Sequence, residues 1–209
     1  MRLFFLLCCI GIFLGACDDE YYNDGGVLDS DVGVFNGTTM GYLESQPAMF
    51  DTLTTLIKLN GLEAEVNRAG STFFAPQNYS IYNFLILRYP DAQNRPKRLE
   101  DIPASEMAEI AAGIRNYIIP DKQIRREDLS TVYTFSSTLG GRKARFNLVK
   151  EDYLGNVNMG AASVVFSINM SASGMPERYQ SAKVIRADVK TTDGWVHVLV
   201  SDTHIFGFN

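Results

Sequence analysis

GSTFFAPQNYSIYNFL, residues 70–85, changes from one kind of secondary structure to another within a few residues. Ser71 to Ala75 is a short apolar run biased to β-branched and aromatic side chains, which predicts a buried strand. Pro76 ends it, because proline has no N–H to continue a sheet ladder. Asn78 reads as the N-cap of a following helix, its side-chain oxygen accepting from an early N–H. On that reading an aspartate would serve nearly as well, since a carboxylate accepts and suits a helix N-terminus. Ile81, Phe84 and Leu85 then fall at i, i+3 and i+4, one face of a helix.

Working outward, the first half of the chain reads as helix. Thr38 or Thr39 can cap a short helix through Met40 and Leu43 that is interrupted near Pro47. Phe50, Leu53, Leu56 and Ile57 mark a second helix, stopped by Asn60-Gly61. A brief helical turn over residues 62–67 leads into the strand. After a polar, proline-containing loop (residues 90–103), Met107, Ile110, Ala111, Ile114 and Tyr117 recur at helical spacing and run into Tyr117-Ile118-Ile119-Pro120, a short strand. From Val132 the pattern becomes β. Ala144, Phe146 and Leu148 alternate after a Gly140-Gly141 turn, and Val164 to Ile168 forms a further strand. The runs over residues 182–189 and 195–200 flank an Asp193-Gly194 hairpin turn. The fold class is therefore α+β, a helical N-terminal half packed on a β-rich C-terminal half.

Three motifs along this path carry a resemblance. Thr72-Phe73-Phe74-Ala75-Pro76-Gln77-Asn78 resembles the first signature of fasciclin-like domains, roughly T-x-F-A-P-x-N. Tyr117 matches the tyrosine of the family's Tyr-His pair, with Ile118 where the histidine would stand. Gly194-Trp195-Val196-His197-Val198 resembles the second signature, with Asp193 replacing its asparagine and Val200 its later aspartate. The resemblance implies a single fasciclin-like domain over residues 38–209. It also implies non-catalytic adhesion to a host, matrix or neighbouring-cell ligand. The alternative is glycan capture, as an accessory lipoprotein of an outer-membrane polysaccharide uptake system. The residues taken as structural motif positions are Thr72, Phe74, Ala75, Pro76, Asn78, Tyr117, Gly194 and His197.

Ahead of the domain, Arg2 and the apolar run over residues 3–16 read as a secretory signal peptide, too short for a spanning helix of about 20 residues. Leu14-Gly15-Ala16-Cys17 resembles a bacterial lipobox, which would make Cys17 the lipidated residue and a membrane the first partner. Cys8 and Cys9 leave with the leader, so no internal disulfide is expected. Residues 17–37 read as an acidic tether of low apolar content. Its acids, Asp18, Asp19, Glu20, Asp24, Asp29 and Asp31, account for the net charge of −5, and the chain from Gly33 onward is balanced. A balanced body argues against nucleic acid as a partner. The acidic run after Cys17 resembles signals for the outer face of the outer membrane. An aspartate directly after the cysteine also resembles inner-membrane retention signals in other lineages, and the run of three acids favours the surface.

Groups able to do chemistry are few. His197 and His204 are the chain's two histidines, and His197 sits in a strand as a structural side chain. There is no G-x-S-x-G elbow, H-E-x-x-H pair or calcium-loop spacing, so no catalytic, cofactor-binding or metal-binding residue is expected. Arg95-Pro96-Lys97-Arg98 and Arg142-Lys143-Ala144-Arg145 read as solvated loop and turn ends. Tyr79, Tyr82, Tyr133, Tyr153 and Tyr179 are the aromatic side chains available to a ligand.

Overall fold

The computed structural model describes residues 33–152, 154, 155, 157 and 160–208. The leader, Cys17 and most of the tether lie outside these described residues. Thr38 caps helix α1 (Thr39–Glu44) by accepting from the Gly41 N–H. Pro47 opens α2 (Pro47–Leu59), where its missing N–H costs nothing, and Gly61 leaves the helix at φ +62°. Next come α3 (Glu63–Val66), β1 (Ser71–Ala75), α4 (Asn78–Arg88), α5 (Ala104–Arg115) and β2 (Ile118–Ile119). The β half follows as β3 (Thr134–Ser137), β4 (Lys143–Lys150), β5 (Ala162–Asn169), β6 (Tyr179–Lys190) and β7 (Gly194–Leu199). Residues 33–37, which composition assigns to the tether, run beside the end of β6, with the Phe35 N–H donating to Lys190 O at 2.8 Å.

The seven strands form one nearly closed sheet in the order β2-β1-β7-β6-β5-β4-β3. β1 pairs in parallel with β7 and antiparallel with β2, and the remaining neighbours are antiparallel. The two edges meet where the β3–β4 turn reaches β2: Leu139 N–H donates to Ile118 O at 2.8 Å, and Gly140 N–H to Arg115 O at 3.1 Å. This covers edge groups that would otherwise be free to pair with another chain.

All five residues of β1 are buried because it has a core on each face. Phe74 stacks on Phe166 (ring centroids 4.1 Å apart), Phe146 (5.3 Å) and the His197 ring (5.0 Å) inside the curved sheet. Phe73 and Ala75 alternate to the opposite face. Phe50, Leu53, Leu56 and Ile57 of α2 and Ile110 and Ile114 of α5 are buried at the helical spacing read from the sequence. β1 also depends on a glycine. A Cβ on Gly194 would fall well inside contact distance of the Ser71 carbonyl oxygen and 3.1 Å from its carbon.

Asn78 corrects one sequence expectation. It is the first residue of α4, and Gln77, the residue at the N-cap, makes no side-chain cap bond. The Asn78 amide instead clamps the start of α2: Oδ1 accepts from Thr52 N–H at 2.9 Å, and Nδ2 donates to Pro47 O (3.2 Å) and Ala48 O (3.3 Å). A tertiary use has displaced the local one. Gln77 works over distance too, donating from Nε2 to Leu199 O at 2.6 Å, 122 residues away.

Two predictions follow from these contacts. Asn78→Ala removes all three bonds, whereas Asn78→Asp keeps the acceptor but faces the Pro47 and Ala48 carbonyls with carboxylate oxygens. Both should lower the urea unfolding midpoint, by roughly 1–3 kcal/mol of stability, and Asp should give no rescue. An Asp variant matching the parent would leave the Thr52 contact as the only one that matters. Gly194→Ala must push β7 away from β1, so it should cost roughly 1–3 kcal/mol in the same assay. Its slowed exchange at the β1 amides should be lost first, and unchanged β1 protection would refute the close-approach argument.

Candidate ligand-binding surface

The motif residues come together, but inside the molecule. Thr72 Oγ1 donates to Lys122 O (2.8 Å) and accepts from Ile124 N–H (2.9 Å). The fully buried His197 makes its Nε2 bond to the same residue, Ile124 O, at 2.8 Å, while Nδ1 accepts from Asp188 N–H at 3.2 Å. A threonine from β1 and a histidine from β7 thus pin one loop residue from both sides. Phe74 and Ala75 are core, and Pro76 is buried where the strand stops. Tyr117, also fully buried, accepts from Gly207 N–H at 2.8 Å and bonds His204 Nε2 at 2.9 Å. Every polar tip among these residues already has a protein partner. Cys17 lies outside the described residues.

Burial sets the protonation of both histidines. It pushes His204 down to about 4, and it lowers His197 against smaller opposing effects from the Ile124 carbonyl and the Asp188 carboxylate. Burial likewise raises the Tyr117 phenol. Near neutral pH both rings are therefore neutral, as their bonding requires: Tyr117 donates to an unprotonated His204 Nε2, and His197 Nε2–H donates to Ile124 O. Neither ring opens onto solvent.

The groups left to meet a ligand lie on the other face of the sheet. Phe135 of β3 stands opposite Arg145 of β4, and Arg145 opposite Ser167 of β5. The Arg145 guanidinium is held between two rings, 4.0 Å from the centroid of Tyr133 and 4.0 Å from that of Tyr179. Each such contact is worth about 0.5–1 kcal/mol at an exposed site. Beside it Lys143 lies 5.0 Å over the Phe135 ring and pairs with Glu177 at 2.7 Å, to which Tyr179 also donates. Val132 (73 % exposed), Phe135 (47 %) and Tyr133 (44 %) extend this platform in apolar surface.

The sequence shows the tyrosines, but in it Arg142-Lys143-Ala144-Arg145 has the character of a solvated turn end. The missed signal is parity. In a hairpin that turns at Gly140-Gly141, Arg145 and Lys143 fall on the same face as Phe135, so cation and ring become cross-strand neighbours. Tyr153 lies outside the described residues.

A second exposed feature lies on the helices. Tyr79 and Tyr82 of α4 stack with centroids 6.4 Å apart, both about half exposed. Tyr82 and Leu85 border a shallow groove of about 300 Å³ whose other wall is Arg95, Pro96, Lys97 and Arg98. Arg95 is engaged with Tyr89 O, and Arg98 lies beside Glu100 and Asp101.

The sequence model described as the fasciclin domain matches residues 48–201. The chain belongs to the fasciclin domain family. No curated protein matches it. Fasciclin domains are generally adhesion-related and typically non-catalytic. Among the described residues no group of three or more His, Cys, Asp or Glu side chains is placed to hold a metal ion, and no helix is long and apolar enough to cross a membrane.

Two departures from the fasciclin pattern have a structural account. Ile118 is a fully buried β2 residue, and the histidine that meets Tyr117 is His204, beyond β7. Asp193 accepts from Thr39 N–H (2.9 Å), Thr39 Oγ1 (3.0 Å) and Thr191 Oγ1 (2.7 Å), an acceptor-only task at the first residue of α1 that suits a carboxylate. Nothing in the structure explains Val200.

The buried histidines of this fasciclin domain predict an acid-sensitive fold. Both folded pKa values lie below the unfolded value, so their contribution is complete above about pH 6.5. It is lost as pH falls from there toward the folded values, about 4 for His204. Between pH ~7 and ~5 protonation of His204 should remove roughly 1–2 kcal/mol of stability, with His197 acting in the same direction. His204→Gln keeps an acceptor for Tyr117 without titrating, so its urea midpoint should fall less steeply over that interval. Parallel slopes for parent and variant would overturn the assignment.

Proposed function

We propose that this fasciclin domain is the recognition part of a lipid-anchored, non-catalytic adhesion protein. It is held by a lipid on Cys17 in the outer membrane, facing the exterior, and binds host, matrix or neighbouring-cell protein. The observation that carries the reading is the Tyr133–Arg145–Tyr179 platform: exposed aromatic surface around a cation, on a chain whose motif side chains are otherwise spent on internal bonds. Aromatic and arginine side chains are the types that most often dominate protein interfaces. The lipobox-like Leu14-Gly15-Ala16-Cys17 supports the anchor, and the acids behind it support the outward face.

A second reading, glycan capture beside an uptake system, draws on the paired Tyr79 and Tyr82 rings next to the groove, since exposed rings stack on sugars. A glycan array set against pull-down on matrix proteins separates the two. Retention by matrix protein supports adhesion, and retention only by neutral glycans, lost in Tyr79→Ala, replaces it.

The anchor has its own test. Cys17→Ser should move the protein to the soluble fraction and abolish labelling by a palmitate analogue; persistent labelling would rule out Cys17 as the attachment point. Protease added to intact cells should remove the domain. Digestion only after lysis would place it on the periplasmic side.

A further inference from the structure

Arg145 carries a hydrogen-bonding capacity that the fold leaves unused. Its Nε is covered and has no hydrogen-bond partner, and no protein acceptor meets its other N–H groups among the described residues. Both tyrosine rings lie under the guanidinium carbon at 4.0 Å without accepting a conventional hydrogen bond from it. With Nε covered, the two Nη groups are the ones a carboxylate can meet, through two parallel bonds.

The neighbouring charges narrow the ligand. Lys143 is neutralised by Glu177, and Lys183 by Glu151. Among the described residues Arg145 makes no direct ion pair, although the Glu177 carboxylate that holds Lys143 lies near enough to feel its charge. A polyanion would need a row of free cations, whereas Lys143 and Lys183 are already paired and the surface beside Arg145 is formed by the Tyr133 and Phe135 rings. That arrangement matches one acidic side chain flanked by apolar ones.

We propose that Arg145 is the docking point for a single Asp or Glu side chain of a partner protein, with the apolar neighbours of that residue covering Val132, Tyr133 and Phe135. The inference rests on the adhesion reading and names the chemistry its partner presents. Tyr133 and Tyr179 act as positioning residues, holding the guanidinium plane so that little rotamer freedom is lost on binding.

The test is an array of short peptides carrying one central Glu or Asp among Leu, Val and Phe, printed beside the same peptides with Gln or Asn and beside polygalacturonate. It is probed with the detergent-solubilised full chain and with Arg145→Gln and Arg145→Lys. Acidic peptides should retain about tenfold more parent protein than their amide twins, the scale of one charge-assisted bidentate contact. Arg145→Gln should abolish that difference, and Arg145→Lys should restore only part of it, having charge without the fork. The acid–amide comparison on the parent needs no variant, so it stands even if one folds poorly. Equal retention of acid and amide peptides, including none of either, overturns the proposal. Arg145-dependent retention by polygalacturonate above that of every peptide replaces the protein partner with an acidic glycan. Failed matrix pull-down with intact Arg145-dependent peptide binding would sink the adhesion reading alone, and the reverse result would sink this inference alone.

Discussion

The parallel pairing of β1 with β7 is the contact on which the rest of the domain depends. It is the seam between the helical half and the β half, and it permits no side chain at Gly194, where the Ser71 carbonyl comes too close. Once the two strands are in register, Phe74 lies against His197 and completes the aromatic stack with Phe146 and Phe166. Thr72 and His197 then reach Ile124 together, which holds the loop after β2 against the seam. A slip of one residue would turn Thr72 and Phe74 to the wrong face and undo all of these at once.

This explains why the family signatures say so little about a ligand. Their polar groups are needed to make backbone fit backbone: a threonine and a histidine for one loop, an asparagine for the start of a neighbouring helix, a glycine for close approach. Groups so used are already committed to the fold and are poorly placed to meet a partner. The surface that can vary is the outer face of β3, β4 and β6, where Arg145 and its two tyrosines sit without supporting the core. Conserving architecture and changing recognition can therefore proceed on separate residues.

Legibility in the sequence followed the range of the forces. β1, α2, α5 and the β6–β7 hairpin were readable because apolar periodicity, proline and Asp-Gly act within a few residues. Asn78 misleads for the converse reason: its local chemistry suits a cap, but α2 packs close enough to take its amide bonds. The Tyr117–His204 bond joins two segments 87 residues apart and left no trace in spacing. The platform lay between these cases. Its rings and cations could each be seen, but their meeting depends on strand register, and the third member, Tyr179, arrives from a strand two places away in the sheet.

The place of β1 in the sheet also governs the order in which the molecule can come into being. One edge of β1 is satisfied first, by β2, the next strand in the chain, and the other waits for β7, the last of the seven strands in chain order. Until then a five-residue apolar strand has an open side, the kind of edge that recruits other chains. Closing so long a loop late is entropically slow, and high contact order of this type retards folding generally. The finished domain hides its stickiest segment completely, so its hazard is confined to the interval before completion. A chaperone that served this chain would do most by covering residues 71–75 until β7 arrives.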